Sequence, residues 1–351
     1  MISVLHQIHA LRLFLLSGLI LGLAPLVLSA HAADVPKEPA FQENFYGVQI
    51  SDRQAWIVGY YGTILHSKDR GISWEIKRSP TRNALFQVRF LNQKGWISGG
   101  YGTILHTMDG GQSWVAQPTN TTEHLFGLTW VNDQLGWVVG SRGTILRTAD
   151  GGRSWMNASL PEDLILSSVA FANSNRGWTA GEFGVIFQTQ NGGRSWTKQT
   201  SPVEVGFASG ESRNLFALLF LGPENGWAFG LGGTILKTRG GSRWEIVRQK
   251  DNAHSASGAN HLFAAAAFNN RLWVVGERGT FLQSDMDGKN WQQTTAETPP
   301  LSLNGIAFGK DGLGLIVGNR GVILRTENGG ATWKRLTILP HGQGKGRSTV
   351  P

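Results

Sequence analysis

A block that opens on Trp, runs through Gly-Thr-Ile-Leu and closes on Trp recurs along this chain of 351 residues. Pairing the opening and closing residues gives Trp56/Trp74, Trp96/Trp114, Trp137/Trp155, Trp178/Trp196, Trp227/Trp244, Trp273/Trp291 and Leu315/Trp333, with closing residues 40, 41, 41, 48, 47 and 42 positions apart. A period of roughly 40 to 50 residues is the length of one four-stranded propeller blade, and such a unit cannot bury its apolar faces without a neighbour. The repeat predicts an all-β chain, a seven-bladed β-propeller of four-stranded antiparallel blades.

The second unit shows the strands. Leu85-Phe-Gln-Val-Arg-Phe alternates as an inner strand, Asn92-Gln-Lys-Gly turns the chain into Trp96-Ile-Ser-Gly, and Gly100-Tyr101-Gly102 reads as a two-residue hairpin into Thr103-Ile-Leu-His-Thr. Met108-Asp109-Gly110-Gly111 makes the next turn, and Trp114-Val-Ala-Gln is the outer strand. That third turn carries the signature Ser/Thr-x-Asp-x-Gly-x-x-Trp, intact at Asp69, Asp109 and Asp150, with Asn191 and Asn328 in place of Asp elsewhere, Met286 at the same position in unit six and a shortened loop in unit five. A loop that drops its charge in four of seven copies reads as a structural turn, the carboxylate or amide accepting loop N–H groups. Calcium needs six to eight oxygens around one ion, so acids spread one per blade predict no metal site. His66, His106, Arg147, Gln188, Lys237, Gln283 and Arg325 share one third-strand position; its tolerance of cations predicts a solvent-facing side chain.

The first 32 residues hold one charge, Arg12, then an apolar run from Leu13 to Leu28 and Ala30-His31-Ala32. These are the parts of a secretory signal peptide cleaved before Ala33, the alternative being an uncleaved anchor, with the propeller over 33–338 and a polar tail over 339–351 expected to be disordered. Loss of Arg12 takes the formal net charge from +8 to +7. The chain has no Cys, which excludes disulfides, a thiol nucleophile and a lipid-anchored cysteine even in an oxidising compartment. Export argues against nucleic acid despite the basic pI of about 9.9, because the charge is spread through turns and forms no run. A basic exported surface fits peripheral association with a membrane.

Tandem Asp-box turns joined to Gly-Trp-x-x-Gly-x-x-Gly-Thr-Ile-Leu resemble the seven-bladed BNR-repeat propellers of the photosystem II assembly and stability factor family, over about residues 41 to 338. The resemblance implies a non-enzymatic assembly factor without a cofactor that binds a membrane-protein client, or its exported loop or tail, in the periplasm or the thylakoid lumen, acting as a monomer. Relatives in non-photosynthetic bacteria make an accessory role in an efflux or export system the alternative within the same class.

In such a blade the first and third turns share one face of the disc, and the second turn shares the other with the links between blades. The residue before the second Gly of each second turn is Tyr61, Tyr101, Arg142, Phe183, Gly232, Arg278 or Arg320. Six aromatic or guanidinium side chains would ring the channel mouth, and Tyr, Trp and Arg dominate interface hot spots. The long links Gln199 to Leu215 and Val247 to Leu262 emerge on this face too. The competing class is a secreted Asp-box glycosidase or carbohydrate-binding propeller. The enzyme needs two carboxyl groups about 5 to 9.5 Å apart or a Tyr nucleophile with an acidic partner, and the candidate acids, Glu182 and Glu277, belong to turns of blades four and six.

Overall fold

The computed structural model describes residues 43–206, 213–248 and 260–336. They form 28 strands in seven four-stranded antiparallel sheets, each built from four consecutive strands in sequence order. The inner strands are Phe45–Ser51, Leu85–Leu91, Leu125–Trp130, Leu166–Phe171, Leu215–Leu221, Leu262–Phe268 and Leu303–Phe308, each packed against the inner strands of both neighbouring blades. The predicted seven-bladed propeller is therefore the observed one. Expectations for the signal segment 1–32, the tail 339–351 and the middles of both long links lie outside the described residues.

Blades are held together by a repeated aromatic sandwich. The opening Trp of one blade stacks on an inner-strand aromatic of the next: Trp56 on Phe90 at 3.9 Å, Trp96 on Trp130 at 3.7 Å, Trp137 on Phe171 at 3.6 Å and Trp178 on Phe220 at 3.9 Å. That aromatic in turn meets its own blade's closing Trp edge to face, as for Phe90 and Trp114 at 5.6 Å. Edge-to-face and offset stacks are the geometries ring quadrupoles favour. The opening Trp side chains of the first six blades are 0 to 3% exposed, so the repeat's periodic Trp is the inter-blade core.

The third turns are fastened by their own side chains. Asp109 Oδ1 accepts Ser113 N–H at 3.0 Å and the Thr107 hydroxyl at 2.7 Å, while Gly111 N–H donates to Thr107 Oγ1 at 3.0 Å. Asn191 keeps the acceptor role toward Ser195 N–H at 3.0 Å and donates its amide to Ser195 Oγ at 2.8 Å, reversing one bond without moving the loop. In blade six Asp285 stands in for the missing acid, accepting Gly288 N–H at 3.1 Å. Among the described residues no cluster of three or more His, Asp or Glu is placed to hold a metal ion.

The shared third-strand position corrects the expectation of a solvent-facing side chain. His66, Gln188 and Lys237 are buried, and the ring of His66 lies flat on Trp56 at 4.9 Å. Three of the seven donate to a carbonyl of the next blade's third turn: Gln188 Nε2 to Gly241 O at 3.2 Å, Lys237 Nζ to Asp287 O, and Arg325 Nε to Arg70 O at 2.7 Å. Polarity is retained at a buried site because those turn carbonyls need donors.

The last of these bonds also spans the seam between blade seven and blade one. There Leu313, Leu315, Val317 and Ile323 pack on Phe45, Ile50, Ile57 and Trp74, Gly321 N–H donates to Glu43 O at 2.8 Å, and Arg70 pairs with Asp311. Each sheet at the seam is complete from its own four strands, so the described residues close the ring by packing between blades. Whether residues 35–42 add to the last blade lies outside them.

Candidate functional site

The second turn of every blade has one backbone design. Gly99 N–H donates to Thr103 O at 2.9 Å, Gly100 N–H to Ala84 O at 2.8 Å and Thr103 N–H to Gly100 O at 3.1 Å. The turn is thus a single tight coil longer than the two-residue hairpin predicted, pinned to the start of its own inner strand. Gly99 is required because a Cβ there would come 2.5 Å from Ala84 O, and Gly102 because its φ is +67° and a Cβ would collide with Thr121 O.

Between those glycines sits the predicted site residue, and it too is left-handed in all seven blades. Tyr61, Tyr101, Arg142, Phe183, Arg278 and Arg320 have φ of 57°, 54°, 54°, 56°, 51° and 54°, and Gly232 has 61°. An L residue pays about 1–2 kcal/mol for this conformation, which glycine adopts freely. Only blade five takes the unstrained option. Tyr61, Tyr101, Arg142, Arg278 and Arg320 are exposed and Phe183 half-buried, so core packing does not repay the strain. Strain retained on an exposed tip marks function.

The tips lie one strand outside the channel mouth; the mouth itself is made by residues that the alternation reading left inside a regular strand. Leu85 pairs with Gly99 and Gln87 with Ser98, leaving Phe86 as an extra residue in a β-bulge. The same bulge recurs in every blade, at Tyr46, Phe86, Phe126, Ser167, Phe216, Phe263 and Asn304. A bulge re-aims the side chain it carries. Tyr46, Phe216, Phe263 and Asn304 line the central cavity, and the rings continue through Tyr46 to Phe86 at 5.8 Å, Phe86 to Phe126 at 5.2 Å and Phe216 to Phe263 at 5.5 Å. Five of the seven bulged residues are aromatic, forming a collar.

Tips and collar are one surface. His124, just before its inner strand, lies 4.7 Å from Tyr101 and about 6 Å from both Phe86 and Phe126 (6.4 and 6.0 Å). His261 repeats the arrangement, facing Phe216 at 6.2 Å and Phe263 at 6.3 Å while its Nδ1 accepts Gly232 N–H at 3.2 Å. Arg82 lies over Tyr61 at 5.7 Å, extending the cationic and aromatic character of the tips. Arg142 and Arg278 have only long contacts, 3.9 Å to Glu123 and 4.0 Å to Glu277, and Arg320 makes no ion pair among the described residues.

The two carboxylates considered for catalysis do local work. Glu182 Oε2 accepts Ile165 N–H at 3.2 Å and Glu277 Oε2 accepts His261 N–H at 3.3 Å, each fastening its own blade's second turn to its own inner strand.

Comparison with known proteins places the chain. The profile described as photosynthesis system II assembly factor YCF48 matches residues 37–121, 115–204 and 201–334. The chain belongs to this family. YCF48 solved bound to a D1 peptide is similar at 22% identity and TM-score 0.64, over 82% of this chain and 93% of that one. YCF48 from Cyanidioschyzon merolae is 19% identical with TM-score 0.63, over 82% and 96%. A GH74 xyloglucanase from Xanthomonas campestris is 13% identical with TM-score 0.64, over 84% of this chain and 55% of that one. At these identities the likeness to YCF48 structures and to the xyloglucanase alike shows the propeller fold. No protein among the curated ones matches the sequence.

Proposed function

We propose that this YCF48-family propeller is an exported, non-catalytic assembly or stability factor that holds a membrane-protein client by an exported loop or tail laid across the face of the second turns. The observation that carries this reading is the left-handed strain kept at six tips, five of them exposed, in favour of Tyr, Phe and Arg, beside a collar of bulge-aimed aromatics. Hot spots use these residue types because they bring large, rigid contact area and bidentate donors. A relative solved with a D1 peptide supports a peptide-like client, and the net positive charge supports an acidic or membrane-proximal one. Among the described residues no helix is long and apolar enough to cross a membrane.

The test is the triple variant R142E/R278E/R320E, assayed for capture of the client from native membranes by crosslinking and mass spectrometry. Capture is lost while the far-ultraviolet circular dichroism and melting temperature stay unchanged; retained capture contradicts the reading. Turnover of a chromogenic glycoside by the purified protein would establish the glycosidase class instead.

A further inference from the structure

Beneath the collar the channel holds a cation that nothing in the fold uses. The inner-strand residues paired with the opening position of each blade are Gln49, Arg89, Thr129, Ala170, Leu219, Ala266 and Ala307. Arg89 is the sole charge in this layer. Its guanidinium makes no hydrogen bond or ion pair among the described residues, and no acidic side chain is among those lining the cavity. The neighbouring polar groups are committed elsewhere: Gln49 bonds both backbone groups of Phe90, at 3.0 and 2.7 Å, and Ser168 Oγ accepts Leu218 N–H at 3.0 Å.

Arg89 is exposed, its side chain presenting its surface to the channel. Desolvation by the surrounding inner strands lowers its pKa from the ordinary arginine value. Six other blades fill the same position with neutral residues, so the fold does not need the charge. The wall changes character around the axis. Blades one and two contribute Gln49, Gln87 and Arg89, whereas blade six contributes the run Ala264-Ala265-Ala266-Ala267 and blade five Leu219. The cavity, about 310 Å³, is at the small end of ligand sites.

We propose that the channel binds an organic carboxylate with a compact apolar body, its two oxygens taken by Arg89 and its body lying on the alanine wall beneath the aromatic collar. A planar guanidinium fork matches a carboxylate bidentately. The same chemistry is offered by a free aryl or alkyl carboxylate and by the C-terminal residue of a polypeptide.

Isothermal titration with 3-phenylpropanoate, 3-phenylpropanamide, and the peptide Gly-Ala-Val-Phe with a free or an amidated C-terminus tests it. Both acids bind and both amides bind at least tenfold more weakly; R89Q weakens the acids at least tenfold, R89K less, and R89Q does not lower the melting temperature. Tighter binding of the peptide acid identifies a chain terminus as the source, and tighter binding of phenylpropanoate a free carboxylate. The R142E/R278E/R320E protein retains this binding, so failure of the face reading leaves the channel site standing. Acids that do not bind, amides that bind as well as acids, or R89Q with unchanged affinity overturns the proposal.

Discussion

Phe90 occupies the space a side chain at Gly95 would need: the two are cross-strand partners, and a Cβ on Gly95 would come 2.5 Å from the Phe90 ring. The pair is aromatic with glycine at Trp130/Gly136, Phe171/Gly177, Phe220/Gly226 and Phe308/Gly314. Blade six inverts it to Ala267/Leu272, and blade one keeps the order with Ile50/Ala55. The seven blades conserve filled volume more closely than residue identity, as close packing demands.

This gives a first prediction. F90A removes a buried ring and costs about 3–5 kcal/mol, and G95L overpacks at about 1–3 kcal/mol. F90A/G95L reproduces the blade-six arrangement and recovers more than about 2 kcal/mol of the summed loss in a urea-denaturation double-mutant cycle. Additive losses would contradict it.

The strained tips give a second. Replacing Arg142, Arg278 or Arg320 by Gly removes about 1–2 kcal/mol of left-handed strain and returns about 0.5–1 kcal/mol of unfolded-state entropy. Each variant is therefore as stable as the parent or up to about 1 kcal/mol more so, while client capture falls. A β-branched Val at the same positions lowers the melting temperature.

His66 gives a third. Its burial against Trp56, with Lys77 adding repulsion, pushes its pKa down from 6.5 to about 4. The unfolded chain binds the proton at higher pH than the folded one, so the contribution is complete above about pH 6.5 and is lost as pH falls toward 4. At about 1.36 kcal/mol per pH unit this is at most about 3 kcal/mol. H66Q, using the residue of blade four, flattens unfolding free energy between pH 7 and 4; an unchanged slope contradicts the assignment.

The Asp-box turns give a fourth. Ser113, by hydroxyl and N–H, and then Thr107 hold Asp109 at about 2. A depressed carboxylate stabilises above its unfolded pKa of 3.8 and loses that contribution as pH falls through about 2. D109N keeps the loop, as Asn191 does, and changes the melting temperature little at pH 7 while removing this acid step; D109A leaves loop N–H groups unpaired and costs about 1 kcal/mol or more.

The fold is legible because its parts repeat: the period fixes the number of blades, and Gly-x-x-Gly and the Asp-box mark where the second and third turns fall, although not the length of the second turn. The collar is not, although Phe86 and its equivalents recur directly after a buried residue that opens each inner strand. Alternation alone assigns such a residue to a regular strand, and only the register break shows that it is re-aimed. The third-strand cations misled for the opposite reason, since composition suggested solvent while the neighbouring blade's carbonyls supply their partners. Arg89 was hidden too, because a single inner-strand arginine has no periodic signature.

The most direct test of a docking face built from the tips and collar is site-specific photocrosslinking in native membranes. Benzoylphenylalanine is placed either at Tyr101, on that face, or at Ile72, an equally exposed residue of an Asp-box turn on the opposite face. The account predicts a membrane-protein adduct from position 101 and none from position 72. Adducts of equal yield from both, or from position 72 alone, would contradict it.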